Sequence, residues 1–180
     1  VLHLARNSGK AEAVRQGVLA ALEENPDYVG YWDADLATPM SEIDNFLGYL
    51  ANHRFRVVTG CRLARMGAGV RRKTSRHYLG RVFATIVSNL LRIQVYDTQC
   101  GAKIFAADIA AKVFQQPFIT SWLFDVEILR RMKHLFGREQ VASFVYEYPL
   151  MEWRDVSGSK LKFSTMLKAP FWLIRIFLSR

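Results

Sequence analysis

The sequence has few cysteines, no long apolar run and, in two stretches, no acidic side chain. Its two cysteines, Cys61 and Cys100, are too few for a disulfide framework and occur in no metal-binding spacing, which favours a reducing compartment. The longest apolar run, 169–174, is far shorter than the roughly 20 residues that span a bilayer. No signal peptide and no initiator Met precede the apolar residues 1–5, so we expect an N-terminal truncation.

The composition is that of an ordinary globular domain with an excess of basic residues. Of the 180 residues, 51% are hydrophobic and 23% are charged, which is enough for one core and one domain. The 25 Lys and Arg exceed the 16 Asp and Glu and give a formal charge of +9. This charge favours phosphate-rich partners, and nucleic acid, sugar nucleotides and anionic lipid all remain open.

Strand and helix patterns alternate along the chain, which predicts an α/β fold with a mostly parallel sheet. The acid-free segment 62–76 carries six basic residues and two glycines, and we interpret it as a mobile basic loop. Strands are predicted at 1–5, 28–32, 56–60 and 141–148, and helices at 10–22, 41–50, 78–91 and 124–136.

Two carboxylates, Asp33 and Asp35, directly follow the predicted strand 28–32. In extended chain an i, i+2 spacing points both side chains the same way, so the two could share one cation. Hard divalent ions prefer oxygen ligands, and ligands of open α/β sheets bind at the carboxyl ends of the strands. The sequence therefore predicts a site for a hard divalent ion such as Mg²⁺ here, against the alternative that a lone Asp-x-Asp has no function.

Several other residues have both a functional and a structural interpretation. Lys10 begins a helix and could face a phosphate or be solvated, and the loop 62–76 could clamp a phosphorylated acceptor or simply lie in solvent. Four polar residues among apolar neighbours could serve a site or form buried ion pairs: Gln99, Lys103, Asp125 and Glu127.

Taken together and in order, several motifs resemble those of family 2 glycosyltransferases of the polyprenyl-phosphate sugar synthase type, which include the dolichyl-phosphate glucosyltransferases and mannose synthases. The resemblance covers nearly the whole chain. Its motifs are at 6–17, 31–39 (with Tyr-Trp-Asp-Ala-Asp), 76–78, 96–103 (Tyr-Asp-Thr-Gln-Cys-Gly-Ala-Lys), 124–127 and 157–160.

The resemblance implies a three-layer GT-A fold whose N-terminal βα unit is missing here. It further implies a catalytic domain at 1–155. The segment 156–180 contains no acidic residue and interleaves basic with aromatic side chains, which predicts a basic amphipathic segment that could lie at a membrane surface. Under this resemblance Asp33 and Asp35 would bind Mg²⁺ or Mn²⁺. Together with Lys10 and Lys160 they would also bind the phosphates of the nucleotide sugar. The acceptor phosphate would be bound by Arg62, Arg71 and Ser75.

The implied reaction is inverting transfer of a hexose, glucose or mannose, from a UDP- or GDP-sugar to a polyprenyl phosphate. A phosphate acceptor needs no strong base, whereas a sugar hydroxyl would need one, for which Asp97 and Asp125 are the candidate catalytic residues. Ala37 replaces a metal-binding Gln of some mannose synthases, which favours the glucosyl type. The enzyme is expected at a membrane, with its site facing the cytoplasm.

Two other classes of function compete with this one. The charge and the basic, aromatic C-terminal segment would suit a non-enzymatic module that binds membranes or nucleic acid. The separation of the basic segments and the absence of a nucleic-acid-binding motif argue against it, so we expect no nucleic-acid partner. A magnesium-dependent nucleotidyltransferase would use similar carboxylates but release pyrophosphate.

Overall fold

The computed structural model describes residues 2–52, 54–71, 74–154 and 168–179, and the side chains of 71 and 74–76 lie outside this description. The helices are α1 (Lys10–Leu22), α2 (Glu42–Asn52), α3 (Thr74–Leu91), α4 (Ala107–Val113), α5 (Phe124–Phe136), α6 (Arg138–Phe144) and α7 (Ala169–Leu178). The strands are β1 (Tyr28–Trp32), β2 (Val57–Cys61), β3 (Gly69–Arg71), β4 (Ala102–Ala106), β5 (Val145–Pro149) and β6 (Glu152–Arg154).

The main sheet has the strand order β1-β4-β2-β5. Because β4 is antiparallel to both of its neighbours while β2 and β5 are parallel, β1, β2 and β5 all run in one direction. Strands β2 and β4 are buried at every residue, as expected for the centre of a sheet. The predicted α/β fold with a mostly parallel direction is confirmed, and β4 is the reversed strand.

Side chains alternate between the two faces of this sheet and form two cores. One face packs against α1 and α3–α7, with Phe105 and Val57 among its buried strand residues. The other face packs against α2, through Phe46 and Leu50, and against the two-stranded ribbon of β3 and β6, through Trp153. The result is three layers with the sheet in the middle.

Three predicted elements differ from the structure. Residues 2–5 are irregular rather than a strand, and within the described residues no strand pairs with them. The predicted strand 141–148 begins only at Val145, because Val141 and Phe144 lie one helical turn apart on the buried side of α6. The segment 62–76, predicted as a loop, contains β3 and the first turn of α3, since β3 pairs with β6.

The C-terminal helix α7 packs one face on the core, where Leu173 and Ile176 are buried. Its other face exposes Phe171, Ile174 and Leu178. Among the described helices, none combines the length and the apolar character needed to cross a bilayer. The predicted division of the chain at residue 155 remains a prediction, since 155–167 lie outside the described residues.

Candidate active site

Several of the predicted site residues lie at one edge of the main sheet, which we call the carboxyl edge. Strands β1, β2 and β5 end there, and β4 begins there with Ala102 paired to Trp32. Asp33 follows β1 and Arg62 follows β2 at this edge. The loop 97–101, between α3 and β4, lies at the same edge, since the backbone N–H of Asp33 donates to Gly101 O at 2.8 Å.

Asp33 faces the first turn of α1. Lys10 Nζ lies 2.6 Å from Asp33 Oδ1, and the two side chains are 46% and 36% exposed, so the pair is open to a ligand. Gly9, before the helix, has a φ of 82°, which allows the chain to turn into α1 at that point. The predicted donor residues Lys10 and Asp33 are therefore neighbours.

Asp35 lies in a turn rather than in the extended chain on which its prediction depended. The backbone N–H of Leu36 donates to Asp33 O at 3.0 Å and closes that turn, and Leu36 has a φ of 51°. Asp35 Oδ1 accepts a hydrogen bond from the N–H of Ala37 at 3.1 Å. Both carboxylates therefore belong to one turn, and strand alternation does not set their directions.

The donor chemistry of this turn fits a hard divalent cation. Asp33 Oδ2 and Asp35 Oδ2 have no protein partner among the described residues, and carboxylate oxygens are the ligands that Mg²⁺ and Mn²⁺ prefer. No group of three or more His, Cys, Asp or Glu side chains occurs in the part of the chain that is described. Water and substrate phosphate would therefore complete the coordination.

Behind Asp33, a buried polar network connects the sheet to α5. Lys103 Nζ donates to Asp125 Oδ1 at 2.8 Å, and Tyr31 Oη donates to the same oxygen at 2.5 Å. Burial and the Asp125 charge raise the pKa of Tyr31, so its hydroxyl keeps its proton. Asp125, a candidate base, thus lies in a buried ion pair; a catalytic role for it remains a prediction.

Arg62 and Asp97 form a two-pronged ion pair at the end of β2. Asp97 accepts from Arg62 Nε at 2.6 Å and from Nη2 at 2.7 Å, and the side chains are 13% and 8% exposed. Burial lowers the pKa of Arg62, but the Asp97 charge and hydrogen bonds outweigh it and leave that pKa raised. The Arg62 guanidinium also lies 5.4 Å from the Trp153 ring centre. Acceptor binding by Arg62 and base catalysis by Asp97 remain predictions.

The remaining predicted residues are only partly described. Arg71 ends β3 and Ser75 lies in the first turn of α3, but their side chains are outside the description. Lys160 lies outside the described residues altogether. Glu127, noted in the sequence, is 1% exposed and paired with Arg131 at 2.7 Å on α5.

Sequence reasoning missed Glu147, which supports the loop 97–101 from β5. Its carboxylate accepts the backbone N–H groups of Tyr96 and Asp97, each at 2.7 Å, and burial raises its pKa. The available signal in the sequence was a charged residue flanked on both sides by Val, Tyr and Pro in β5. Glu147 also lines a cavity of about 420 Å³ together with Thr59 and Lys103.

The comparisons with known proteins agree with this geometry. The family model described as glycosyl transferase family 2 matches residues 1–114. The chain belongs to glycosyltransferase family 2. Among solved structures, glucosyl-3-phosphoglycerate synthase of Mycobacterium tuberculosis, in complex with Mn²⁺, UDP and glucosyl-3-phosphoglycerate, matches with a TM-score of 0.64 and 17% identity. This match covers 99% of the chain and 58% of that protein and shows that both have the GT-A fold.

Relatives within family 2 are dolichyl-phosphate beta-glucosyltransferases. The protein of that name from Drosophila melanogaster is 32% identical over 96% of the chain and 49% of its own length. The human one is 28% identical over 96% of the chain and 50% of its own length, and one from Trichomonas vaginalis is 29% identical over 98% and 52%. The chain therefore spans about half the length of the relatives it matches.

Proposed function

We propose that the protein transfers glucose from UDP-glucose to a polyprenyl phosphate and inverts the anomeric centre. The observation that carries the proposal is the Asp33 and Asp35 turn with Lys10 at the carboxyl edge. The names of its relatives support the glucosyl group and a dolichyl phosphate acceptor. The structurally similar glucosyl-3-phosphoglycerate synthase, solved in complex with Mn²⁺ and UDP-glucose, supports the donor and the metal.

In this mechanism Asp33 and Asp35 would hold the divalent ion, and Lys10 would contact the donor diphosphate. The ion, when bound, supplies positive charge that offsets the charge on the departing UDP. The acceptor phosphate has a second pKa of about 6, so it attacks as a dianion without a base. One of its oxygens forms a bond to sugar C1 while the bond from C1 to the UDP oxygen breaks, and that electron pair leaves with UDP.

The proposal further places the enzyme at the cytoplasmic surface of a membrane. Helix α3 exposes apolar side chains three and four residues apart, as does α7 at Phe171, Ile174 and Leu178. The protein has a formal charge of +9, so an anionic lipid surface suits both this charge and the exposed apolar side chains. The exposed residues on α3 are Tyr78, Leu79, Val82, Ile86 and Leu90, which we call the α3 stripe.

Product analysis tests the reaction. The purified protein is supplied with Mn²⁺, a polyprenyl phosphate and radiolabelled UDP-glucose or GDP-mannose, and the lipid product and released nucleotide are measured. We expect glucolipid and UDP, and a loss of about a hundredfold or more in Asp33→Asn. Asp27→Asn, the same change at the opposite end of β1, is the matched control and keeps full activity. Mannolipid would replace the proposed sugar, and release of pyrophosphate would indicate a nucleotidyltransferase.

A further inference from the structure

The backbone at Gly101 lies directly against the carboxylate of Asp33. Besides the hydrogen bond from Asp33 N to Gly101 O, a Cβ added to Gly101 would lie 1.9 Å from Asp33 Oδ2 and 2.0 Å from Cγ. No real Cβ contact is this short, so only glycine fits while Asp33 keeps its place. The position of the carboxylate thus depends on the path of the backbone at residue 101.

Hydrogen bonds from the Lys103 ammonium group fix the path of the backbone at residue 101. Lys103 Nζ donates to the carbonyl oxygens of Thr98, at 3.2 Å, and Cys100, at 2.5 Å. Its third hydrogen bond goes to Asp125 Oδ1, so all three donors of the ammonium are used. Two backbone carbonyls of the loop 97–101 are therefore tied to α5 through one side chain.

The deep burial of the ion pair is not by itself evidence that the pair stabilises the fold. Lys103 is 4% exposed and Asp125 is 3% exposed. Removing two charges from water costs about as much as their attraction returns, and apolar side chains of similar volume would often hold the fold equally well. What the apolar pair could not do is bind the two loop carbonyls. The specific contribution of Lys103 is thus the conformation of the loop 97–101.

We propose that Gly101 and Lys103 are positioning residues, which set the Asp33 carboxylate for the metal ion and the donor diphosphate. Lys103 fixes the loop 97–101, and the bare backbone at Gly101 gives the Asp33 carboxylate its space. The inference rests on the proposed function, because that function supplies the metal ion and the diphosphate that the Asp33 carboxylate would bind.

Three variants of the protein test the inference. Gly101→Ala pushes on the Asp33 carboxylate, and Lys103→Met with Asp125→Leu removes the anchor without leaving a buried charge unpaired. Gly48→Ala is the matched control, because a Cβ on Gly48 in α2 would meet no atom within 4 Å. Circular dichroism verifies folding. The readouts are the carboxyl carbon resonance of Asp33 at pH 7 without metal, and Mn²⁺ binding followed by electron paramagnetic resonance.

We expect the Asp33 resonance to move in both test variants and to stay unchanged in Gly48→Ala. Mn²⁺ affinity should fall by about tenfold or more in the test variants, the loss typical when the support of a metal ligand is removed. If the double variant unfolds, Lys103→Arg decides the role of the anchor by the same readouts, because a planar guanidinium cannot replace the compact ammonium.

Folded variants whose Asp33 resonance and Mn²⁺ affinity equal those of the wild type would overturn the inference and leave the proposed function intact. If the resonance moves but the wild-type protein itself binds no Mn²⁺, the positioning of Asp33 stands and the metal-dependent function falls. The two failures are therefore distinguishable.

Discussion

At the scale of single residues, two ion pairs of this chain differ in their exposure to water and in the number of their hydrogen bonds. Arg62 and Asp97 are 13% and 8% exposed, whereas Arg56 and Asp108, joined at 2.5 Å, are 47% and 52% exposed. Water screens the second pair and replaces a lost partner, and both effects are much weaker for the first. Loss of the carboxylate should therefore lower the free energy of unfolding much more in the first pair than in the second.

We expect Asp97→Leu to lower the free energy of unfolding by roughly 3–5 kcal/mol, because it leaves the Arg62 guanidinium buried and unpaired. The exposed counterpart, Asp108→Leu, should change it by less than about 1 kcal/mol. Urea unfolding followed by circular dichroism measures both. Equal effects of the two substitutions would show that Arg62 finds other partners or water when Asp97 is lost.

Local patterns in the sequence singled out individual residues of the candidate site but not the contacts between them. Local patterns placed Asp33 and Asp35 after a strand and Lys10 at the start of a helix, but the contact between Lys10 and Asp33 depends on α1 packing beside β1. Lys103 and Asp125 are 22 residues apart, and their pairing depends on α5 packing against the face of the sheet that includes β4. Such long-range contacts follow from sheet topology, which local patterns do not contain.

At the scale of elements, periodicity predicted those helices that have one continuous apolar face. Helices α2 and α5 begin and end within two residues of their predicted bounds. Strand β4 was missed because Lys103 interrupts its apolar pattern, and the charge is compensated by Asp125 on a different element. In α6 the run of Val and Phe residues resembled a strand, although two of them lie one helical turn apart.

A substitution on the buried face of α2 tests whether this helix packs on the main sheet as described. Phe46 is fully buried, and its ring centre lies 5.2 Å from those of Trp32 and Tyr148. We expect Phe46→Ala to lower the free energy of unfolding by roughly 3–5 kcal/mol, since it removes a large side chain and leaves a cavity.

Leu47, the next residue, is 37% exposed and serves as the matched control for Phe46. Leu47→Ala should cost less than about 1.5 kcal/mol, because much of its surface already contacts water. Urea unfolding measures both variants. A small effect of Phe46→Ala would mean that α2 is not packed on the sheet as described.

At the scale of the whole molecule, the α3 stripe and the candidate site are physically connected. Arg81 on α3 donates to Tyr96 O at 2.9 Å, with its guanidinium 3.4 Å from the Tyr96 ring centre. The N–H of Tyr96 is in turn held by Glu147, just before the loop 97–101. A lipid surface that binds the α3 stripe would therefore lie against a helix that is fixed to the site, which suits an acceptor whose phosphate is carried on a lipid.

This arrangement predicts binding to anionic vesicles that depends on the α3 stripe. The protein should float with vesicles of phosphatidylcholine and phosphatidylserine at low salt, and less so at high salt, because salt screens the attraction of a +9 protein. Val82→Glu with Ile86→Glu should lower the partition coefficient by about tenfold or more, since apolar burial is lost and two carboxylates meet the anionic surface.

The control separates the α3 stripe from net charge. Gln140→Glu with Ser143→Glu adds the same two charges to exposed positions on α6. If only the total charge attracted the protein to lipid, both double variants would lose binding equally, and the α3 stripe would have no role. If the α3 stripe inserts, the α6 variant keeps most of its binding, because two of the excess positive charges contribute less than two apolar side chains at the interface. A wild-type protein that stays with the unbound fraction at low salt would rule out the membrane surface as its partner.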